Sequence, residues 1–231
     1  VVMLCFGIGS AFWKIPAQTV GPIRAVYYRQ LFVTNILGLL LILVPKPLGY
    51  STTDLCVAVL ISLFGYLPLF FFLRAVSGGA IGVVSGIANA KVLITILLAH
   101  VFLGDSVSPS QWLLIVVLVV ALIGLAWRPT SAELPRDGLR LAAGSGDAFI
   151  ACVLWGIVYF VIAFPVAKFG PYYFAFLLEL GVLCASLLHL RLAAVPPTPL
   201  PREAYLPLAI CVASAVLGTV SYNLAISRTS I

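Results

Sequence analysis

The sequence predicts an all-α integral membrane protein that crosses the bilayer several times, and three observations carry that prediction. Of its 231 residues, 63% are hydrophobic and only 9% charged, with a mean hydropathy of +1.19, more apolar surface than a soluble domain needs. The apolar residues fall into runs of roughly 20, the length at which a helix crosses a hydrocarbon core of about 30 Å. These runs lack the strict alternation that a membrane barrel requires.

The elements follow from punctuation. A first span, Val2 to Val20, is broken by Gly21-Pro22, and a second, Ile23 to Val44, is stopped by Pro45-Lys46-Pro47. The turn-rich GYSTTD leads into a third span, Leu55 to Arg74, and VSGG separates it from a fourth, Ala80 to Leu103. Connections this short make sequential helices antiparallel neighbours. A fifth span, Gln111 to Trp127, precedes the longest polar stretch, residues 129–146, whose Pro, Gly, Ser and charges mark a linker. Three further spans follow: Ala148 to Lys168, Tyr172 to Leu192 and, after the Pro-rich VPPTPLPRE, Ala204 to Ile226.

The net charge of +6 is scattered singly at helix ends and inside helices, which excludes a nucleic-acid patch. Cys5, Cys56, Cys152, Cys184 and Cys211 lie in apolar segments without metal spacing or loop pairing, and read as small core residues. There is no HExxH, CxxC, Gly-x-Ser-x-Gly or pair of carboxylates, so the sequence reads as neither an enzyme nor a metal or cofactor carrier. The apolar opening at Val1 and the stop at Ile231 are read as those of a fragment, and no signal peptide is assigned.

An internal repeat organises the spans. A shift of 149 places Phe6-Gly7-Ile8 on Trp155-Gly156-Ile157, Pro16 on Pro165, and Gly21-Pro22 on Gly170-Pro171. A shift of 150 places Ala75, Ser77 and Ile81 on Ala225, Ser227 and Ile231. The repeat units are residues 1–128, with five helices, and residues 147–231, with three. An odd number of helices per unit inverts the second copy in the membrane, so inverted five-helix repeats are expected, with eight of ten helices present in this sequence.

With these features in place the chain resembles the drug/metabolite transporter superfamily, specifically the EamA-type transporters built from tandem five-helix repeats. The resemblance rests on Phe6-Gly7 followed by Lys14, on Arg29, on the Leu73-Arg74 and Ser77-Gly78 stretch, on Phe102-Leu103-Gly104-Asp105, and on Ser108, Pro109, Gln111 and Trp112. Phe6 stands where Trp is usual, Asp105 where Glu is, and Leu114 where Gly commonly follows Gln-Trp. The resemblance implies a secondary transporter of small metabolites in the plasma (inner) membrane, working by alternating access.

The candidate substrate-binding residues begin with Lys91. It lies about 12 residues, roughly 18 Å, from either end of the fourth span, too deep for its side chain to snorkel fully. An ionisable group at that depth is either a functional site or one half of a buried ion pair. Val84, Ile87, Ala88 and Thr95 share its face, and Gly78, Gly82, Gly86 and Ala90 form a small-residue stripe that should let another helix approach. Glu179, which aligns with Gln30, is the carboxylate inside a span and a candidate counter-ion of Lys91 or Arg29, or a proton carrier giving proton coupling. Arg29 and Lys14 lie roughly 10 Å inside their helix ends. Trp13, Gln18, Asn89, Trp155, Tyr159, Tyr222 and Asn223 complete the set that can line a cavity. His100, beside the Phe-Leu-Gly-Asp turn, reads as a helix-end partner.

On orientation two arguments conflict, and the reading follows the family's usual cytoplasmic termini. Arg24, Arg74, Arg128, Arg136, Arg140, Arg191 and Arg202 share one side and would place it in the cytoplasm by the positive-inside rule, whereas the family's usual cytoplasmic termini imply the reverse. The functional expectation is export of small polar or amphipathic, amino-acid-like metabolites, with Lys91, Arg29 and Lys14 attracting an anion between the repeats. The alternative is a non-transporting helical scaffold in which the charges only pair.

Overall fold

Proline and glycine set the breaks that define the architecture. The computed structural model of the protein describes residues 1–44, 49–128, 140–196 and 198–228. Its helices are α1 (Val2–Phe12), α2 (Lys14–Thr19), α3 (Pro22–Leu40), α4 (Thr52–Phe64), α5 (Tyr66–Gly78), α6 (Ile81–Asn89), α7 (Lys91–Leu103), α8 (Pro109–Ala126), α9 (Ser145–Val161), α10 (Ala163–Phe169), α11 (Pro171–Leu192) and α12 (Arg202–Arg228). One 3-10 turn, Leu41–Leu43, extends α3. A two-residue antiparallel pair, β1 (Trp127–Arg128) with β2 (Arg140–Leu141), joins the end of α8 to the approach to α9.

The spans expected to be single helices at the first, third, fourth and sixth positions are each interrupted. Proline explains three of these breaks. Pro16, Pro68 and Pro165 lack an N–H, so the carbonyls of Phe12, Phe64 and Val161, four residues earlier, receive no helical hydrogen bond. Those residues are the last of α1, α4 and α9. The fourth break, between α6 and α7 at Ala90, has no proline. There the turn tightens locally, with Ala90 N–H donating to Ile87 O at 3.1 Å and Leu93 N–H to Ala90 O at 2.8 Å, both i to i−3. Lys91 is the first residue after that break.

The two Gly-Pro pairs that the shift of 149 aligns share a backbone conformation. Gly21 (φ 81, ψ 158) and Gly170 (φ 76, ψ 165) precede Pro22 and Pro171 at the starts of α3 and α11. That region of φ suits glycine, and proline is pre-shaped for the first helical turn. Packing shows a matching pattern: α1 lies on α12, α9 lies on α5, and α3 lies on α11.

Among the described residues six helical segments, Pro22–Leu43, Thr52–Gly78, Ile81–Leu103, Ser145–Phe169, Pro171–Leu192 and Arg202–Arg228, are long and apolar enough to cross a membrane. At most 39% of any spanning window is buried, so most of the apolar surface faces outward, as a bilayer allows. The most extensive of three buried clusters runs through Val26, Val33 and Leu37 of α3, Leu73 and Val76 of α5, Val83 and Val84 of α6, Ala148 and Ala151 of α9, and Ala175, Val182 and Ala215 beyond.

Two expectations change. Sites where a Cβ at Gly78 or Gly82 would stand have nothing within 4 Å, so these two positions of the stripe do not receive a helix. Close approach occurs instead at Gly156 of α9, where a Cβ would fall 2.3 Å from Ile94 Cβ and 3.0 Å from Lys91 O. The linker expected over residues 129–146 falls partly outside the described residues, and α9 begins within it at Ser145. The Pro45-Lys46-Pro47 stop and Arg136 also lie outside the described residues.

Candidate functional site

Two basic side chains reach the centre of the bundle, and their surroundings differ. Arg29 on α3 and Glu179 on α11 are 8% and 4% exposed and form a forked ion pair, Nη1 to Oε2 at 2.7 Å and Nη2 to Oε1 at 3.3 Å. Gln30 Nε2 donates to Glu179 Oε2 at 2.6 Å and to its main-chain oxygen at 3.1 Å, and Arg29 Nη1 also donates to Gln30 Oε1. From α12, Thr219 Oγ1 donates to Glu179 Oε1 at 3.0 Å. The carboxylate thus accepts from four side-chain donor atoms, its full complement. The network is neutral in charge and ties α3, α11 and α12 together.

Lys91 has no such partner. Its Nζ stands 4.6 Å from the ring centroid of Trp155, 4.9 Å from Tyr159 and 5.3 Å from Phe6. Ring faces attract an ammonium without satisfying its N–H donors. The ion pairs among the described residues are Arg29–Glu179 and Arg74–Asp147, and neither includes Lys91. The rings are held by one another: Phe72 packs on Trp155 at 5.2 Å, Tyr222 meets Tyr159 edge-on at 4.6 Å, and Tyr222 OH donates to Tyr159 O at 3.2 Å.

The cage opens onto a cavity of about 110 Å³ between α1, α3, α5, α6, α7, α9, α11 and α12, room for several waters. Its wall includes Trp13, Arg29, Asn89, Lys91, Trp155, Tyr159, Glu179, Tyr222 and Asn223, all singled out from the sequence. Asn223 is wholly buried. Its Nδ2 donates to Pro171 O at 3.1 Å, while its Oδ1 has no partner.

Lys14 and Gln18 do not line this cavity. Lys14 opens α2, and Gln18 donates from Nε2 to Ser77 O at 3.1 Å, joining α2 to the end of α5. His100 Nδ1 donates to Asp105 O at 2.6 Å and sits edge-on to Trp112, the helix-end role expected of it.

Phe6, Gln30 and Thr219 take part without having been picked as site residues. The shift of 149 was the available signal for two of them, since it places Phe6 on Trp155 and Gln30 on Glu179. Thr219 carries no sequence signal, because its hydroxyl matters only once α12 packs beside α11. Among the described residues no cluster of three His, Cys, Asp or Glu could hold a metal ion.

No curated protein matches the chain. A family model does: that of the EamA-like transporter family matches residues 1–127, more than half of the sequence. With a lysine-bearing cavity inside a bundle of membrane-length apolar helices, the chain belongs to the EamA-like transporter family of the drug/metabolite transporter superfamily and is a multi-pass membrane protein of a small-molecule transporter type.

Proposed function

We propose that the protein is a secondary transporter that exports small amphipathic metabolites carrying a carboxylate or comparable anion, amino-acid-like compounds among them, by alternating access. The observation that carries this reading is the unpaired ammonium of Lys91 at the cavity wall. Arg29 is neutralised by Glu179 and Lys14 lies off the cavity, so the anion site contracts from three basic residues to Lys91.

The alternating-access part of the reading takes the two halves as inverted copies around a central site. If residues 1–128 and 147–231 are related by a two-fold axis, α1 on α12 must be mirrored by α9 on α5, and α3 must pack on its own counterpart α11. Residues exchanged by such an axis touch only when they lie on it. Gln30 and Glu179 are exchanged by the shift of 149, and they are hydrogen-bonded.

One observation favours the second reading, a scaffold without transport: the Arg29–Glu179 pair is complete without any ligand. The saturated carboxylate likewise supports a counter-ion over a proton carrier. Reconstitution separates the readings. Lys91→Met is expected to abolish substrate flux into or out of vesicles while the protein remains folded. Flux that survives the change would overturn the site assignment, and loss of folded protein would favour the scaffold.

A further inference from the structure

We propose that the cavity selects a molecule with one net negative charge and a neutral hydrogen-bond donor, and that it discriminates against amines and zwitterions. This rests on the transport reading for its biological use and narrows it, taking the zwitterionic amino acids out of its substrate range, but it is a statement about binding.

The first argument is a census of charge. The charged residues of the cavity wall are Lys91, Arg29 and Glu179. Arg29 and Glu179 cancel, and every acceptor position of the Glu179 carboxylate is taken by Arg29, Gln30 or Thr219. The wall therefore presents one uncompensated positive charge and no free anionic acceptor. A substrate carboxylate meets the N–H donors of Lys91. A substrate ammonium meets no carboxylate and is repelled by Lys91, an effect that grows as water is excluded. The ring faces that would otherwise welcome an organic cation are already covered by Lys91.

The second argument is independent of charge. Asn223 is 0% exposed and lines the same cavity, and its donation to Pro171 O fixes which end of the amide is oxygen. The remaining Oδ1 is a buried acceptor without a partner, a group that costs free energy until a donor reaches it. When a ligand displaces the cavity's water, a hydroxyl or N–H on that ligand must take over the donation to Oδ1. A site built to hydrogen-bond such a group discriminates against the analogue that lacks it.

The test uses the purified full chain in detergent, with binding read by thermal shift and calorimetry. Four probes share one body: 4-hydroxyphenylacetate, phenylacetate, tyramine and tyrosine. The expected ranking places 4-hydroxyphenylacetate at least about tenfold tighter than tyramine and tyrosine, and several-fold tighter than phenylacetate. Asn223→Leu is expected to bring the two acids to equal affinity, and Lys91→Met to remove acid binding. Tyramine or tyrosine binding as tightly as the hydroxylated acid overturns the proposal, as does a hydroxyl preference that persists in Asn223→Leu, or no binding of any probe at about 10 mM. The wild-type ranking needs no variant, so a poorly folded Asn223→Leu leaves the test in force. Acid binding without vesicle flux would overturn the transport reading and leave this inference standing. Flux of tyrosine or tyramine without acid binding would do the opposite.

Discussion

Arg29 and Lys91 are both basic residues inside membrane-length helices, and the difference between them lies in their neighbours. Arg29 is answered at 2.7 Å and 3.3 Å by a carboxylate that Gln30 and Thr219 also bind. Lys91 is answered by three ring faces at 4.6 to 5.3 Å and by no anion among the described residues. A completed ion pair has no reason to recruit a ligand. A cation held only by quadrupoles keeps its hydrogen-bond donors free, so the same charge inside the bundle is structural in one place and receptive in the other.

The largest expected effect tests the receptive side. Lys91→Met should reduce vesicle flux at least about a hundredfold, the order expected when the group holding a substrate's charge is lost, with unchanged expression and helix content by circular dichroism.

The next test exchanges the roles. Glu179→Leu strands Arg29 in the bundle and should destabilise the protein by ~3–5 kcal/mol in a denaturant titration. Arg29→Met combined with Glu179→Leu should recover most of that loss, because an apolar pair of similar volume leaves no charge buried. Failure of the double variant to recover would mean that the pair does more than neutralise itself.

A smaller effect compares Gly156 with Gly7, which the shift of 149 aligns. At Gly156 an added methyl meets Ile94 at 2.3 Å, so Gly156→Ala should cost ~1–3 kcal/mol and shift the helix that carries Lys91. At Gly7 nothing lies within 4 Å, and Gly7→Ala should stay within ~0.5 kcal/mol. Equal effects at the two sites would show that the repeat's punctuation matters more than its local packing.

The smallest effect belongs to the other ion pair. Arg74–Asp147 is bidentate, with bonds of 2.7 Å and 2.5 Å, but the Arg74 side chain is 48% exposed. Arg74→Ala should change stability by less than ~1 kcal/mol by thermal shift, because exposed pairs are screened and lose side-chain entropy when they form.

How much of this was legible in the residues differs from place to place. The spans, the breaks after Gly21 and Gly170, and the prominence of Lys91 follow from composition, spacing and the cost of burying charge. The proline breaks in α1, α4 and α9 were equally readable, since Pro16, Pro68 and Pro165 each withhold one donor at a fixed distance along the chain. The break at Ala90 was not, because no residue there forbids helix and the tightened turn exists only in the packed bundle.

The sequence by itself determined that this chain is a helical membrane protein with a lysine inside one of its spans, because hydrophobic length, proline and glycine act locally. Tertiary structure decided which charge was left over. Glu179 could have answered Lys91 or Arg29, and the packing of α3 against α11 gave it to Arg29. It also placed Phe6, Trp155 and Tyr159, from two distant helices, around Lys91, and left Asn223 Oδ1 without a donor. Electrostatic pairing depends on distances of a few ångströms between residues far apart in the chain, and those distances are set by how helices pack.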